Sequence, residues 1–323
     1  MGAASSIPND LTHQPSLAIF CRTLKENDDP FSSDYYWQAY QDLMLALKER
    51  GIEVYLAADE STYVGNGVFT KAYTIDHKRQ LTDLIMVENA KVDVVFNRGD
   101  FGPTDVLTIN DPFVQKIGMS KIEMFKHFAK FQPFSIICDD IEAVKTAFAK
   151  IEGDKIVVKE PEGYGGHNVY IGDKTEVINR LPNNYPLIVQ EFLDTSMGIP
   201  GVAEGVHDVR LSLCGGELIG CYVRQAKPGE LHSNVSQGGK MLFISIEQAP
   251  QEAVAAALQI DKLFEQFPRY YSADFVNTDK GWRLLEINPQ LALLPVTDGP
   301  EPTKTLSKLA DYLARVCKDI ASK

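Results

Sequence analysis

One stretch, residues 273–289, constrains this chain more than any other. An apolar-rich run, Ala273-Asp274-Phe275-Val276, is followed by the polar segment Asn277-Thr278-Asp279-Lys280-Gly281. A second run, Trp282-Arg283-Leu284-Leu285-Glu286-Ile287-Asn288, ends at Pro289. Two such runs around a polar, glycine-containing turn read as a β-hairpin. Glu286 and Asn288 are two apart on one strand and share a face. With the turn centred on Lys280, Asp274 faces Glu286. Opposed carboxylates destabilise a ladder unless something positive lies between them. Two carboxylates and one amide form an all-oxygen set suited to Mg²⁺, which keeps water or phosphate oxygens as its other ligands.

The chain has 323 residues, enough for about two or three lobes. Its net charge of −12 argues against a nucleic-acid footprint. Any anionic nucleotide must therefore be held by local basic groups and backbone N–H donors. No apolar run approaches the length of a membrane span, so no membrane partner is expected. The five cysteines are scattered without a C-x-x-C pair, and the six histidines form no ligand-spaced cluster with them. Zinc is thus disfavoured, and a reduced, cytoplasmic setting is expected. Met1-Gly2-Ala3-Ala4-Ser5-Ser6 fits a loose myristoylation pattern but reads better as a small-residue start, since nothing basic follows.

Periodicity places a strand over 16–21, a helix over 35–50 closed by Gly51, a strand over 53–57, a helix over 78–89 and a strand over 92–97. This alternation predicts a parallel sheet covered by helices. Helices follow over 120–131 and 140–151, then strands over 155–159, 168–171 and 186–193. Beyond 206 the pattern turns antiparallel, with strands over 207–214 and 217–226, a helix over 249–267, the hairpin, and a closing helix over 301–321. The expected division is a tail over 1–15, an α/β domain over 16–118, a small lobe over 119–193 and a large lobe over 194–323.

The segment Ile156 to Ile171 runs strand, glycine loop, strand, with Lys159 at the end of the first strand. Glycines such as Gly163, Gly165 and Gly166 let backbone N–H groups approach a phosphate. No Gly-Lys-Ser/Thr ending follows, so this is no P-loop, and a strand rather than a helix follows, so it is no dinucleotide fingerprint. Alone, such a loop is more often a simple turn. Beside the carboxylate hairpin it points to phosphate. Arg210 and Arg224 lie on adjacent strands and precede an amide- and glycine-rich loop. That suits bidentate phosphate recognition, the bland alternative being a solvated strand face.

These blocks, in this order, resemble the ATP-grasp superfamily, especially its branch of glutathione synthetase and ribosomal-protein glutamate ligases. The blocks are Val157-Val158-Lys159 with its loop, Val189-Gln190-Glu191-Phe192-Leu193, Asp208-Val209-Arg210 through Arg224 to Ser233-Asn234, and Asp274 with Glu286-Ile287-Asn288. The resemblance implies an α/β (α+β) ATP-grasp fold behind an N-terminal Rossmann-like domain. It implies that Lys121 and Lys159 contact ATP phosphates, although Ser120 stands where the family usually has Asp. Glu191, Phe192 and Leu193 would read the adenine, Asp208 would contact the nucleotide, and Ser233 and Asn234 would close on phosphates and metal. Asp274, Glu286 and Asn288 would ligate Mg²⁺, with Mn²⁺ as an alternative, and Arg210 and Arg224 would stabilise the transferring phosphoryl group. Arg98, in Phe96-Asn97-Arg98-Gly99-Asp100, resembles a carboxylate-gripping arginine, an ordinary surface loop being the equal alternative; Arg22 has the same logic with less support. After Asn288 the family's Ser-Pro turn is replaced by Pro289-Gln290-Leu291-Ala292-Leu293-Leu294-Pro295. The implied activity is an ATP-dependent carboxylate–amine ligase acting through an acyl phosphate on amino acids or peptides, in a homo-oligomer. The alternatives are a nucleotide-binding regulatory module and a small-molecule kinase.

Overall fold

Six consecutive residues buried at every position mark the centre of the first sheet: β1 (Ser16–Cys21). A strand covered on both faces needs a continuous apolar run, as in parallel sheets. The computed structural model describes residues 13–25, 28, 30–31, 33–163, 168–231, 233 and 238–323. They form two units: residues up to Thr108 with Ala310–Lys323, and Ile109–Leu309. The division falls ahead of the expected boundary at 118.

In the first unit, β1 is followed by α1 (Asp34–Glu49), β2 (Glu53–Ala58), β3 (Val68–Thr74), β4 (Ile85–Lys91), β5 (Val94–Arg98) and β6 (Leu107–Ile109), in sheet order β4-β3-β2-β1-β5-β6. β1 pairs in parallel with both β2 and β5. Gly51, at φ 80°, supplies the left-handed residue that stops α1. The helix expected over 78–89 is not formed. A short 3₁₀ turn, Leu81–Asp83, leads into β4, which pairs antiparallel with β3. Leu81, Leu84 and Ile85 mimic helical spacing. The β-branched Ile85 and Val87 instead alternate along an edge hairpin, and Asn89 sits at φ 52°, outside helical space.

The second unit opens with α2 (Pro112–Met119), α3 (Lys121–Phe128), β7 (Ser135–Cys138), α4 (Ile141–Lys150), β8 (Lys155–Lys159), β9 (Val169–Asp173), α5 (Lys174–Val177) and β10 (Leu187–Glu191). Its four strands run antiparallel in the order β7-β10-β8-β9. Val144, Ala147 and Phe148 of α4 share a core with Ile156, Val158 and Val189. Then come β11 (His207–Cys214), β12 (Glu217–Gln225), β13 (Lys240–Phe243), α6 (Gln251–Asp261), β14 (Tyr270–Thr278), β15 (Gly281–Asn288) and α7 (Pro300–Ala321). The helix expected over 249–267 is shorter, ending at Asp261, whose carboxylate accepts from Arg269 Nε at 2.8 Å and Tyr271 Oη at 3.0 Å. A 3₁₀ turn follows at Lys262–Phe264.

The five-stranded sheet, ordered β13-β12-β11-β14-β15, separates core from chemistry. Val209, Leu211, Leu213, Val223, Ala273 and Phe275 face a core that includes Ala253, Ala257 and Ile260 of α6. Alternate residues face the other way. The hairpin turn is tighter than expected, since Thr278 pairs with Gly281 and only Asp279 and Lys280 lie between. Strict register from that turn would set Asp274 against Leu285. A register shift past Phe275 leaves Leu285 unpaired, a β-bulge, and Asp274 pairs with Glu286 after all. The bulge also lets Leu284 and Ile287, three apart, both point into the core, at 0% and 1% exposure. Leu284→Ala is expected to lower stability by about 2–5 kcal/mol, as for a truncated core leucine. Urea unfolding checks this, and an unchanged midpoint would mean the inner face of β15 is not core.

Candidate functional site

The even-numbered positions of β11, together with their cross-strand partners, carry the charge. Arg210 pairs across the ladder with Tyr222 on one side and Asp274 on the other, and Asp274 pairs with Glu286. One row, Tyr222-Arg210-Asp274-Glu286, therefore crosses four strands. A neighbouring row sets Asp208 against Arg224. Arg210 grips Asp274 through two parallel bonds, Nε to Oδ1 at 2.7 Å and Nη2 to Oδ2 at 2.6 Å. Arg224 donates to Asp274 Oδ2 at 2.6 Å and to Asp208 Oδ1 at 2.7 Å. The Ser233 hydroxyl donates to the other Asp208 oxygen. Such bidentate, charge-assisted pairs are strong and fix orientation.

Asp274 is fully buried. Burial works to raise its carboxyl, but Arg210 and Arg224 outweigh it and hold the group below the usual carboxylate range. Burial likewise works against the Arg210 charge, and Asp274 overcomes it, raising Arg210 well above its ordinary value. Glu286 is more open, with a quarter of its side chain exposed, and lies 3.7 Å from Arg210 Nη2. The Asn288 amide nitrogen sits between the carboxylates, 3.3 Å from Asp274 and 3.2 Å from Glu286.

Two lysines act on the same carboxylate, Lys121 from the start of α3, which packs on the core of the five-stranded sheet, and Lys159 from the end of β8 in the four-stranded sheet. Lys121 opens α3, and its Nζ donates to the Gly163 carbonyl at 2.8 Å. Burial lowers its pKa against the opposing pull of Glu286, Glu160 and Glu162. Burial also pushes Lys159 down from 10.5 to about 8, with Glu286 pulling it up and Lys121 adding to the depression. Crowded, desolvated ammonium groups beside a carboxylate are what an incoming polyanion would relieve.

The remaining expected residues are placed differently. Glu191 Oε1 accepts from Phe134 N at 2.8 Å, and its Oε2 pairs with Lys280 Nζ at 3.1 Å. The Phe192 ring lies under Lys155 Nζ at 5.3 Å, and Leu193 is half-buried. Gly163 is left-handed, at φ 114°. Gly165, Gly166, His167 and Asn234 lie outside the described residues. Arg22 and Arg98 belong to the first unit. Arg22 pairs with Asp100 at 2.9 Å, and Arg98 is buried with its Nε 3.5 Å from Tyr40 Oη. Tyr222 was not anticipated. It precedes Arg224 by two on β12, so strand periodicity alone could have put it on the charged face.

Among the described residues no group of three His, Cys, Asp or Glu side chains could hold a metal. The set here is two carboxylates and an amide. The donor types suit a hard cation: Glu286 is a quarter exposed, a half-turn of the Asn288 amide would present its oxygen toward both carboxylates, and Asp274, whose oxygens already accept from Arg210 and Arg224, would add only its remaining lone pairs.

Residues 120–299 match the family described as RimK-like ATP-grasp domain. A protein named probable alpha-L-glutamate ligase, from Legionella pneumophila (strain Corby), is 29% identical over 183 residues, 53% of this chain and 54% of that protein. The chain thus spans about half the length of the curated relatives it matches. The crystal structure of RimK domain protein ATP-grasp from Sphaerobacter thermophilus DSM 20745 superposes with a TM-score of 0.61 at 15% identity, covering 92% of this chain and 98% of that one. D-alanyl-alanine synthetase A from Vibrio cholerae O1 biovar eltor str. N16961 gives 0.64 at 10% identity, covering 96% and 99%. At these identities the structural likeness speaks for the fold, and the fold is the ATP-grasp fold.

Two outcomes test the charge arrangement. Asp274→Asn leaves two buried guanidinium groups under-compensated and is expected to lower stability by about 3–5 kcal/mol in urea unfolding. A shift within error would remove Asp274 as the anchor. For Lys159 the folded-state value lies below the unfolded one. Its penalty is therefore fully present below about pH 8, declines as pH rises, and is gone above 10.5. Lys159→Met should resist urea better than the parent at pH 7, with the advantage narrowing from pH 8 upward. An equal or lower midpoint at pH 7 contradicts the buried-ammonium account.

Proposed function

The chain belongs to the RimK-like ATP-grasp family, and we propose on that footing that it is an ATP-dependent ligase joining a carboxylate to an amine. The observation that carries this reading is the convergence of Lys121, Lys159 and Arg210 on Glu286, beside Asp274 and Asn288. Three cations around an oxygen donor set suit a polyphosphate and its counter-ion.

In this reading a substrate carboxylate oxygen attacks the γ-phosphorus of ATP in line. The bond from that phosphorus to the ADP oxygen breaks, leaving an acyl phosphate and ADP. An amine nitrogen then attacks the acyl carbon. The carbon–oxygen bond to phosphate breaks, phosphate leaves with the electron pair, and the nitrogen loses its proton to solvent. Lys121 and Lys159 would hold phosphate oxygens, and Arg210 and Arg224 would oppose charge developing on the transferring group. Asp274, Glu286 and Asn288 would hold Mg²⁺, or Mn²⁺ in its place, which when bound neutralises phosphate charge. Gly163, Gly165 and Gly166 would cover the phosphates and exclude water from the acyl phosphate. Glu191, Phe192 and Leu193 would border the adenine, and Ser233 and Asn234 would close over the phosphates.

Asp208 takes a supporting place in this scheme. Both its oxygens accept protein donors, so it would act on the nucleotide through Arg224 and Ser233. Arg98 and Arg22 are retained as candidate grips for a substrate carboxylate. The substrates are small carboxylates and amines of the amino-acid or peptide class.

Glu286→Gln keeps the shape of an accessible side chain and removes its charge. ADP release with saturating Mg²⁺ should fall on the order of 100-fold or more, with the unfolding midpoint unchanged. Near-parental turnover in that variant would sink the metal assignment. Product mass separates ligase from kinase, since a ligase yields the sum of its substrates less water and a kinase leaves phosphate on its product.

A further inference from the structure

The row Tyr222-Arg210-Asp274-Glu286 ends on a neutral residue. Tyr222 is 7% exposed, and its ring meets that of Phe243 edge to face, with 5.9 Å between centroids. A phenylalanine would fill the same place and leave no polar atom to take out of water. The tyrosine oxygen is instead set against Arg210. Nη1 donates to it at 3.4 Å, and the ring lies 5.9 Å from the guanidinium.

That contact completes a hold on every nitrogen of Arg210. A guanidinium carries five N–H groups in one plane. Nε gives its single N–H to Asp274 Oδ1, Nη2 gives one to Asp274 Oδ2, and Nη1 gives one to Tyr222. The pair of bonds to Asp274 fixes one edge of the plane and still permits a tilt about that edge. The bond to Tyr222, at the far corner, opposes the tilt. These bonds leave one N–H on each terminal nitrogen, and the plane sets where both point. Arg224 is held instead by two carboxylates, Asp208 at Nε and Asp274 at Nη2. A hydroxyl in the corresponding place fixes direction without cancelling charge, so Arg210 keeps more of its charge for a ligand.

Resting on the ligase reading above, we propose that Tyr222 is a positioning residue for phosphoryl transfer. Its hydroxyl sets the plane of Arg210 so that the two remaining N–H groups meet the phosphoryl group in transit. Tyr222 acts through Arg210 and touches no substrate. Its effect therefore falls on the transition state and spares the binding of nucleotide in its ground state.

The test compares the full chain with Tyr222→Phe, which keeps the ring and removes the oxygen. Calorimetry measures Mg-ADP binding with and without aluminium fluoride, a stand-in for the transferring phosphoryl group. The variant is expected to bind Mg-ADP within about two-fold of the parent and to lose at least about ten-fold of the affinity that aluminium fluoride adds. ADP release from Mg-ATP is then followed with a pool of the common amino acids and their glycyl dipeptides. There kcat should fall at least about ten-fold, with the KM for ATP within about two-fold. In an Arg210→Lys background, which keeps a charge but has no planar fork, Tyr222→Phe should cost less than about two-fold. Parental kcat and parental aluminium fluoride affinity, with or without a lowered urea midpoint, reduce Tyr222 to packing and overturn the inference. A ten-fold loss that persists beside Arg210→Lys also overturns it, because the hydroxyl then acts on something else. A parent that gains no affinity from aluminium fluoride overturns it as well. No ADP release from the parent with any pool overturns the ligase reading, while the aluminium fluoride comparison still decides the place of Tyr222.

Discussion

A carboxylate with no exposure to water, held between two guanidinium groups, organises the polar face of the second unit. Asp274 binds Arg210 through both oxygens and takes a further bond from Arg224. Taking three charges out of water is expensive, and only tight hydrogen-bonded geometry offsets it. That geometry follows from the ladder: Arg210 lies directly across from Asp274, and Arg224 directly across from Asp208. The arrangement leaves both guanidinium planes fixed before any ligand arrives. Preorganised charge of this kind needs no rearrangement when a phosphoryl group moves, which is where electrostatic catalysis draws its strength.

The same sheet separates this chemistry from the core by alternation alone. Val209, Leu211 and Leu213 pack inward, while Asp208, Arg210 and Ser212 point outward. The outward face then changes character along its length. Around Asp274 it is ionic, and beyond Tyr222 it is hydrocarbon. Tyr222 stands at that change, its hydroxyl toward Arg210 and its ring edge against Phe243.

Much of this was legible in the sequence, and the reasons are local. Lys155–Lys159 is a β-branched run with clear ends, and the prediction and the observed strand coincide. The Asp274–Glu286 pairing could be read because hairpin registers are short-range. The turn itself was misplaced by half a residue pair, and the bulge restored the pairing. The spacing of Trp282, Leu284 and Ile287, two and then three, was the available sign of that bulge. The helix expected over 78–89 failed because edge pairing with β3 overrode a spacing that fits helix and strand alike. Strands β3, β6, β7 and β13 were missed, since short or partly exposed strands carry weak alternation. The commitment of both Asp208 oxygens to protein donors depends on residues 16 and 25 positions away, which no local pattern encodes.

The bulge at Leu285 gives the hairpin one residue more than strict alternation needs. Phe275 pairs with Leu284 and Asp274 with Glu286, and Leu285 is the residue left over between them. Its loss would close the ladder into regular alternation with Leu284 and Ile287 still inward and Glu286 and Asn288 still on the charged face. One residue lost with the bulge kept would instead turn every side chain beyond it to the opposite face. The surplus residue is thus a tolerance built into the arm that carries the donors: the hairpin can shorten by one at this place, and at this place only, without exchanging its two faces.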